Sequence, residues 1–275
     1  MHRSTKFPLS IISIDIGGTK LGGAIVSYKS ANEAPEIVFY DKVAAEAKKG
    51  VDALSSNIIG LAKSLNAKAE EIDSSVPVVA IGMGCAGRIN KDSGNVMTAT
   101  DNFPGFVGYA LCANVSKEIG VPAYALNDVQ AHTMGEFRWG AGRDSDNFIL
   151  LAIGTGIGGC AVLNGKLMLG SHGYAGELGH VQVSLGHDVP CTCGKAGHLE
   201  AVASGSGIER SYATLTGNKL SGPEISKLAN EGDKDAIASI ELAGRSLGRV
   251  IAMYHSVFDP EKIILGGSVI KSGKI

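Results

Sequence analysis

The chain has 275 residues, 44% of them hydrophobic and 19% charged, with a net charge of -2. That length is enough to bury one large core or two modest ones. The near-neutral charge gives no footing for a nucleic-acid or membrane-surface partner. Glycine is abundant at 38 residues and aromatics are scarce at 5%. The glycines cluster in short apolar contexts, which suits tight turns beside a ligand and not disorder.

The first ten residues carry His2, Arg3 and Lys6. The apolar run after them is broken by Asp15 and shows no cleavage site, so no secretory signal is read. Ile11 to Ile16 reads as a buried strand, Gly17-Gly18-Thr19-Lys20 as a turn and Leu21 to Tyr28 as a returning strand. Val51, Leu54, Ile58, Leu61 and Leu65 keep helical spacing. Val76 to Met83 is a further apolar strand, ending in the small-residue loop Gly84-Cys85-Ala86-Gly87.

Val121 to Leu126 predicts a strand, followed at once by Asn127-Asp128 and a helix to about Phe137. Asn147 to Gly165 carries no charge and is long enough to cross a bilayer. Gly154, Gly156, Gly158 and Gly159 fall in its middle, so two short strands (Phe148 to Ile153 and Cys160 to Leu163) joined by a glycine turn explain it better. Ile240, Ala243, Leu247, Val250, Ile251, Tyr254 and Phe258 follow a helical period that Asp259-Pro260 stops. Ile263 to Leu265 then enters a strand ending at Gly266-Gly267.

The segment Ile16 to Ile25 lays without gaps on Ile153 to Val162. Both read strand, glycine turn, strand. Two such hairpins half a chain apart predict two α/β domains of common design. Cys85, Cys112, Cys160, Cys191 and Cys193 are odd in number and include one close pair, which argues against a disulfide framework and for a reducing, cytoplasmic setting.

A glycine turn leaves backbone N–H groups uncovered, and these approach phosphate oxygens closely. Asp15 before the first turn suits Mg²⁺ held through water, and Thr19 and Lys20 suit phosphate oxygens. Two ordinary hairpins are the plain alternative. Two matched turns and a third glycine pair, Gly266-Gly267, favour phosphate. Asp128, where a strand gives way to a helix, reads either as an N-cap or as a carboxylate at a ligand site. His180, Cys191, Cys193 and His198 supply four ligand types that suit Zn²⁺, against the alternative of two buried thiols and two surface imidazoles. Glu177 and Glu200 by themselves read as solvated acids of a loop and of a helix start.

Asp15-Ile16-Gly17-Gly18-Thr19-Lys20, then Gly154-Thr155-Gly156-Ile157-Gly158-Gly159, then Leu265-Gly266-Gly267 resembles the ROK family of sugar kinases and sugar-responsive repressors, from about Ile11 to Val269. The resemblance implies an actin-like ATPase (ribonuclease H-like) fold. Its expected lobes are residues 1–128 and 129–275, the second carrying a zinc-binding loop, around a central cleft that closes on the sugar. It implies ATP as cofactor, with Asp15, Gly17, Gly18, Thr19, Lys20, Gly154, Thr155, Gly156, Gly158, Gly266 and Gly267 about the nucleotide, and Mg²⁺ with it. It implies Asp128 as the general base, and Asn102, Asn127, Asp128, Glu177, His180 and Glu200 as sugar contacts. It implies a structural Zn²⁺ on His180, Cys191, Cys193 and His198. The expected reaction is phosphorylation of a hexose, glucose first, with N-acetylmannosamine or another N-acetylhexosamine as alternative and a non-catalytic regulatory protein as a further one. A homodimer is the expected assembly.

Three departures from the family pattern bear on this. His198 stands where the third Cys is usual, which gives Cys₂His₂, with His187 as a substitute ligand in the same loop. Phe106 stands where a Trp often follows Asn102, and Gly84-Cys85-Ala86-Gly87 replaces a usual Pro-Gly pair; both are expected to alter the sugar pocket. Members normally continue some tens of residues past the third glycine pair, so weaker closure and lower stability are expected of this chain. The short stretch before Ile11 has no room for the helix-turn-helix of the repressors.

Overall fold

The computed structural model describes residues 6–183 and 189–272. The chain folds as two compact units, one running up to His132 with Ser171–Gly173, the other comprising Thr133–Gly170 and the residues from Tyr174 on.

In the first unit β1 (Leu9–Ile16), β2 (Lys20–Tyr28) and β3 (Glu36–Ala44) form an antiparallel meander. Helix α1 (Val51–Ile72) crosses over to β4 (Val78–Cys85), which lies parallel to β1. A small ladder of β5 (Arg88–Ile89) and β6 (Val96–Thr98) and helix α2 (Leu111–Ile119) lead to β7 (Ala123–Asn127), parallel to β4. The sheet order is β3-β2-β1-β4-β7. Its core joins Ile12, Ile14, Leu21, Ile25 and Ile81 of the sheet to Leu54, Ile58, Leu61 and Leu65 of α1. The apolar spacing noted in the sequence is therefore the buried face of this helix, each such aliphatic contributing about 1.5–3 kcal/mol.

Helix α3 (Asp128–Trp139) leads into the second unit, where β8 (Phe148–Ile153), β9 (Ile157–Leu163) and β10 (Lys166–Leu167) form a second meander. Helices α4 (Leu199–Ala203), α5 (Gly205–Thr216), α6 (Gly222–Asn230) and α7 (Lys234–Phe258) follow, then β11 (Lys262–Gly266), parallel to β8. The order β10-β9-β8-β11 repeats that of β3-β2-β1-β4. Asp233 caps α7 by accepting from the Ala236 N–H at 2.8 Å, and Asp259 ends it in the left-handed region at φ 44°. The apolar window from Asn147 to Gly165 is β8, a turn and β9. Among the described residues no helix is long and apolar enough to cross a membrane.

The gap-free superposition of the two hairpins needs correction. Ile16 pairs with Leu21 across the first turn, whereas Ile153 pairs with Ile157 across the second. The first turn is one residue longer, so β9 starts at Ile157 and not at Cys160.

Candidate active site

In the first unit the parallel strands β1, β4 and β7 end on the same edge of the sheet. Asp15 lies beside Gly84 and Gly84 beside Leu126, so Asp15 and Asp128 leave the sheet with one strand between them. The carboxyl ends of parallel strands are where open α/β sheets hold ligands.

Asn127 occupies the N-cap position of α3. Its Oδ1 accepts from the N–H of Val129 at 3.0 Å and of Gln130 at 3.3 Å. Its Nδ2 donates to the Gly87 carbonyl at 2.9 Å. The amide expected among the sugar contacts thus ties three backbone groups together and fixes the root of Asp128. The capping expected of Asp128 falls mainly to Asn127, although Asp128 Oδ1 also accepts from the Val129 N–H at 2.9 Å.

The Asp128 carboxylate is open to solvent, yet protein around it displaces much of its hydration. This desolvation pushes its pKa up against the lowering Val129 N–H, and the Asp15 charge adds to the rise. Behind them the Cys85 thiol is pushed up to about 12, by burial first and then by Asp128 and Asp15. It is an inert core thiol.

The first glycine turn is closed by the Gly17 N–H on the Lys20 carbonyl at 3.1 Å and anchored by the Ala45 N–H on the Thr19 carbonyl at 3.0 Å. The side chains of Thr19 and Lys20 are exposed. Asn102 is also exposed and sits beside Gly18, whose missing Cβ would lie 3.5 Å from that of Asn102. Phe106, expected to alter the sugar pocket, is instead fully buried and stacked between Phe103 at 5.8 Å and Tyr109 at 5.6 Å. Its large apolar ring gains more from the core than from a polar ligand.

In the second unit β8, β9 and β11 bring Ala152 between Gly158 and Gly266. The turn after β8 is closed by the Gly154 N–H on the Gly156 carbonyl at 2.9 Å. The first N–H groups of α5 hold it from outside, Gly205 on the Gly154 carbonyl at 2.8 Å and Ser206 on the Thr155 carbonyl at 3.3 Å. Gly267 has φ 98°, and a Cβ there would meet the Ile153 carbonyl oxygen at 2.2 Å, so only glycine fits. Beside this turn opens a cavity of about 330 Å³ lined by Gly154, Thr155, Ser206, Glu209, Ser268 and Val269. Its volume is of ligand size.

The zinc candidates come together. Val183 and Leu199 donate to the carbonyls of Gly197 and Val181, which pairs the stretch after His180 with the stretch about His198. Cys191 and Gly194 close a tight turn by the Gly194 N–H on the Cys191 carbonyl at 3.0 Å. As a result one ligand atom from each of His180, Cys191, Cys193 and His198 lies within 4.8 Å of every other. Nδ1 of His180 is 3.5 Å from Cys191 Sγ, and Nδ1 of His198 is 3.2 Å from Cys193 Sγ. Two thiols and two imidazoles so disposed fit a tetrahedral dication, which would supply a cross-link and thiolate stabilisation there. Burial pushes the Cys191 thiol up to about 11; a bound dication reverses that balance. His187 lies outside the described residues.

Glu177 is exposed, with Oε2 3.7 Å from His180 Nε2. Glu200 is engaged on both oxygens. Oε2 accepts from the Ile157 N–H at 3.0 Å, and Oε1 from the Thr192 hydroxyl at 2.5 Å and the Cys191 thiol at 3.5 Å. None of these contacts was legible from the spacing of acids in the sequence.

Two meanders of one strand order, each with a glycine turn at its parallel-strand edge, define the actin-like ATPase fold, here in the class of ATP-dependent sugar kinases. The chain belongs to the ROK family, whose profile matches residues 11–275. It is 31% identical over 277 residues to a glucokinase of Halalkalibacterium halodurans, covering 95% of this chain and 81% of that protein. It is 30% identical over 264 residues to an N-acetylmannosamine kinase of Escherichia coli, covering 95% and 84%. The crystal structure of a ROK family glucokinase from Streptomyces griseus in complex with glucose and AMPPNP matches with a TM-score of 0.75 and 30% identity, over 96% of this chain and 85% of that one.

Proposed function

We propose that the chain transfers the γ-phosphoryl group of ATP to a hydroxyl of glucose, with Asp128 as the base. The carrying observation is Asp128 itself, a carboxylate at the end of a parallel strand, rooted by Asn127, with its pKa raised by desolvation and by Asp15. Once ionised, such a group accepts the proton of an attacking hydroxyl more readily than an ordinary aspartate. Asp15 is assigned to Mg²⁺ through water, and Thr19 and Lys20 to phosphate oxygens. Mg²⁺ supplies charge neutralisation at the phosphates when bound.

The turn at Gly154, Thr155 and Gly156 with the neighbouring cavity is assigned to the nucleotide. Gly158, Gly266 and Gly267 add no side chain at that edge and are assigned to the nucleotide with it. Asn102, Asp128, Glu177, His180 and Glu200 are each assigned to sugar hydroxyls. The Cys₂His₂ cluster is assigned to one structural zinc per chain, which elemental analysis of protein purified without added metal counts. Five free thiols support a cytoplasmic setting.

N-acetylmannosamine is the second reading, supported by a relative of nearly equal identity. Coupled assays of ADP release with glucose, mannose, N-acetylglucosamine and N-acetylmannosamine separate the two. The highest kcat/KM is expected on glucose. Turnover confined to N-acetylmannosamine would replace the first reading with the second, and no ATP turnover on any of the four would remove both.

A further inference from the structure

Glu200 stands first on neither of the two chemical jobs around it. It is neither one of the four clustered ligands nor part of the glycine turn, yet it is bonded to both. Oε2 accepts from the N–H of Ile157, the first residue after the turn. Oε1 accepts from the hydroxyl of Thr192, inside the ligand loop, and from Cys191 while that residue is a thiol, so the Thr192 bond is the one that persists once a metal takes Cys191 as thiolate. Gly156 leaves room for it, since a Cβ there would stand 2.5 Å from Glu200 Oε2. Ile157 is 2% exposed, so its N–H has no water to replace the carboxylate.

We propose that Glu200, besides the sugar contact assigned to it above, is a positioning residue that couples metal occupancy of the Cys191–His198 loop to nucleotide affinity at the Gly154–Ile157 turn. The inference rests on the assignment of zinc to that loop and of nucleotide to that turn. A metal clamping Cys191 and Cys193 fixes Thr192 between them. Thr192 then fixes Oε1, and the rigid carboxylate fixes the N–H of Ile157 and the conformation of the turn. Without metal the loop loses its cross-link, Thr192 is released, and the turn must be ordered at the expense of nucleotide binding. Such coupling is reciprocal, so nucleotide tightens zinc by the same factor as zinc tightens nucleotide.

The test is calorimetric titration of the full chain with AMPPNP and Mg²⁺, zinc-loaded and after a zinc-selective chelator. In the unaltered chain, stripping should weaken nucleotide binding about 5-fold or more, the lower end of typical allosteric couplings. A competing zinc dye should show the metal held tighter by the same factor when nucleotide is present. In Glu200→Ala and Thr192→Val the ratio of the two nucleotide affinities should fall close to one. Glu200→Gln, which retains an acceptor for Ile157 and a donor for Thr192, should keep part of it. A merely structural role would weaken nucleotide binding in both metal states and leave the ratio unchanged.

Thr192→Val keeps all four ligands, so it remains informative if stripping unfolds the chain. Its zinc-loaded form should bind nucleotide more weakly than the unaltered chain. Equal nucleotide affinity with and without zinc, or a ratio unchanged in both Ala and Val variants, overturns the coupling. Failure of the unaltered chain to bind nucleotide or zinc at all overturns the assignments beneath it, and is seen directly in the first titrations.

Discussion

The two glycine turns have the same place in their sheets and different surroundings. The first, at Gly17 and Gly18, is anchored by backbone alone, its Thr19 and Lys20 side chains are exposed, and two acids, Asp15 and Asp128, stand at strand ends of the same sheet edge. The second is held by the start of α5, by Gly267 and by Glu200, and carries no charge of its own. The difference teaches that a hairpin tip alone specifies no chemistry. What packs at the neighbouring strand ends does so, and it makes one turn a place for exposed polar and charged side chains and the other a backbone cradle held by hydrogen bonds.

The largest effect should come from the acid side of that contrast. Asp128→Asn keeps size and removes the proton acceptor, so kcat should fall by about 10²- to 10⁴-fold with little change in the KM for sugar. Steady-state kinetics over both substrates checks it, and near-normal turnover would make Asp128 a structural residue. Next, the turns should differ in tolerance of a methyl group. Gly156→Ala drives a Cβ against the Glu200 carboxylate, which must leave the Ile157 N–H, and the turn so released should raise the KM for ATP by about 10- to 100-fold. Gly18→Ala makes only an ordinary contact with Asn102 and should change it little. Equal effects would erase the contrast between rigid and open turns.

Gly267→Ala tests the same rigidity through stability. Its positive φ and the Ile153 carbonyl oppose any side chain, and a loss of about 1–3 kcal/mol should appear in denaturant unfolding. The smallest effect is a displacement along the pH axis. With Asp128 as the proposed base, only its ionised form works, and since its pKa is raised, activity should fall off in acid at a higher pH than an ordinary aspartate allows. Asp15→Asn removes a negative neighbour, so the acidic limb of kcat/KM should move to lower pH. A limb that stays in place would show that desolvation, the larger cause, acts alone.

Much of the fold was legible because it is written in local apolar patterns. The strand β8 is a continuous apolar run, β1 is aliphatic apart from Ser10, Ser13 and Asp15, and α1 and α7 keep a helical period over their buried faces. Strand β3 was missed, since most of its residues are exposed and no alternation marks it. The helices α4 to α6 and the short ladder of β5 and β6 were missed too, although the Ser221–Glu224 capping box with Pro223 marks the start of α6. In the site, residue types and the family resemblance pointed to Asp15, Asp128 and the four metal candidates. They did not show that Asn127 bonds Gly87 or that Glu200 bonds Ile157, because these partners lie 40 and 43 residues away along the chain. Phe106 was misplaced for a similar reason. Its neighbours Phe103 and Tyr109 are close in sequence, but whether they face a core or a ligand is decided by α1 and the sheet.

The one-residue difference between the two turns can also be read as history. With a single gap at the tip, Leu21-Gly22-Gly23-Ala24 falls on Ile157-Gly158-Gly159-Cys160. Both second glycines then press on leucines, Gly23 on Leu65 and Leu61, Gly159 on Leu178 and Leu151. Without the gap every side chain beyond the tip would be assigned to the wrong face of its sheet. The offset is what a one-residue insertion or deletion at the tip of either hairpin would leave behind. A chimera that exchanges the hairpins between the two halves must carry that offset with it to keep the leucines on the glycines.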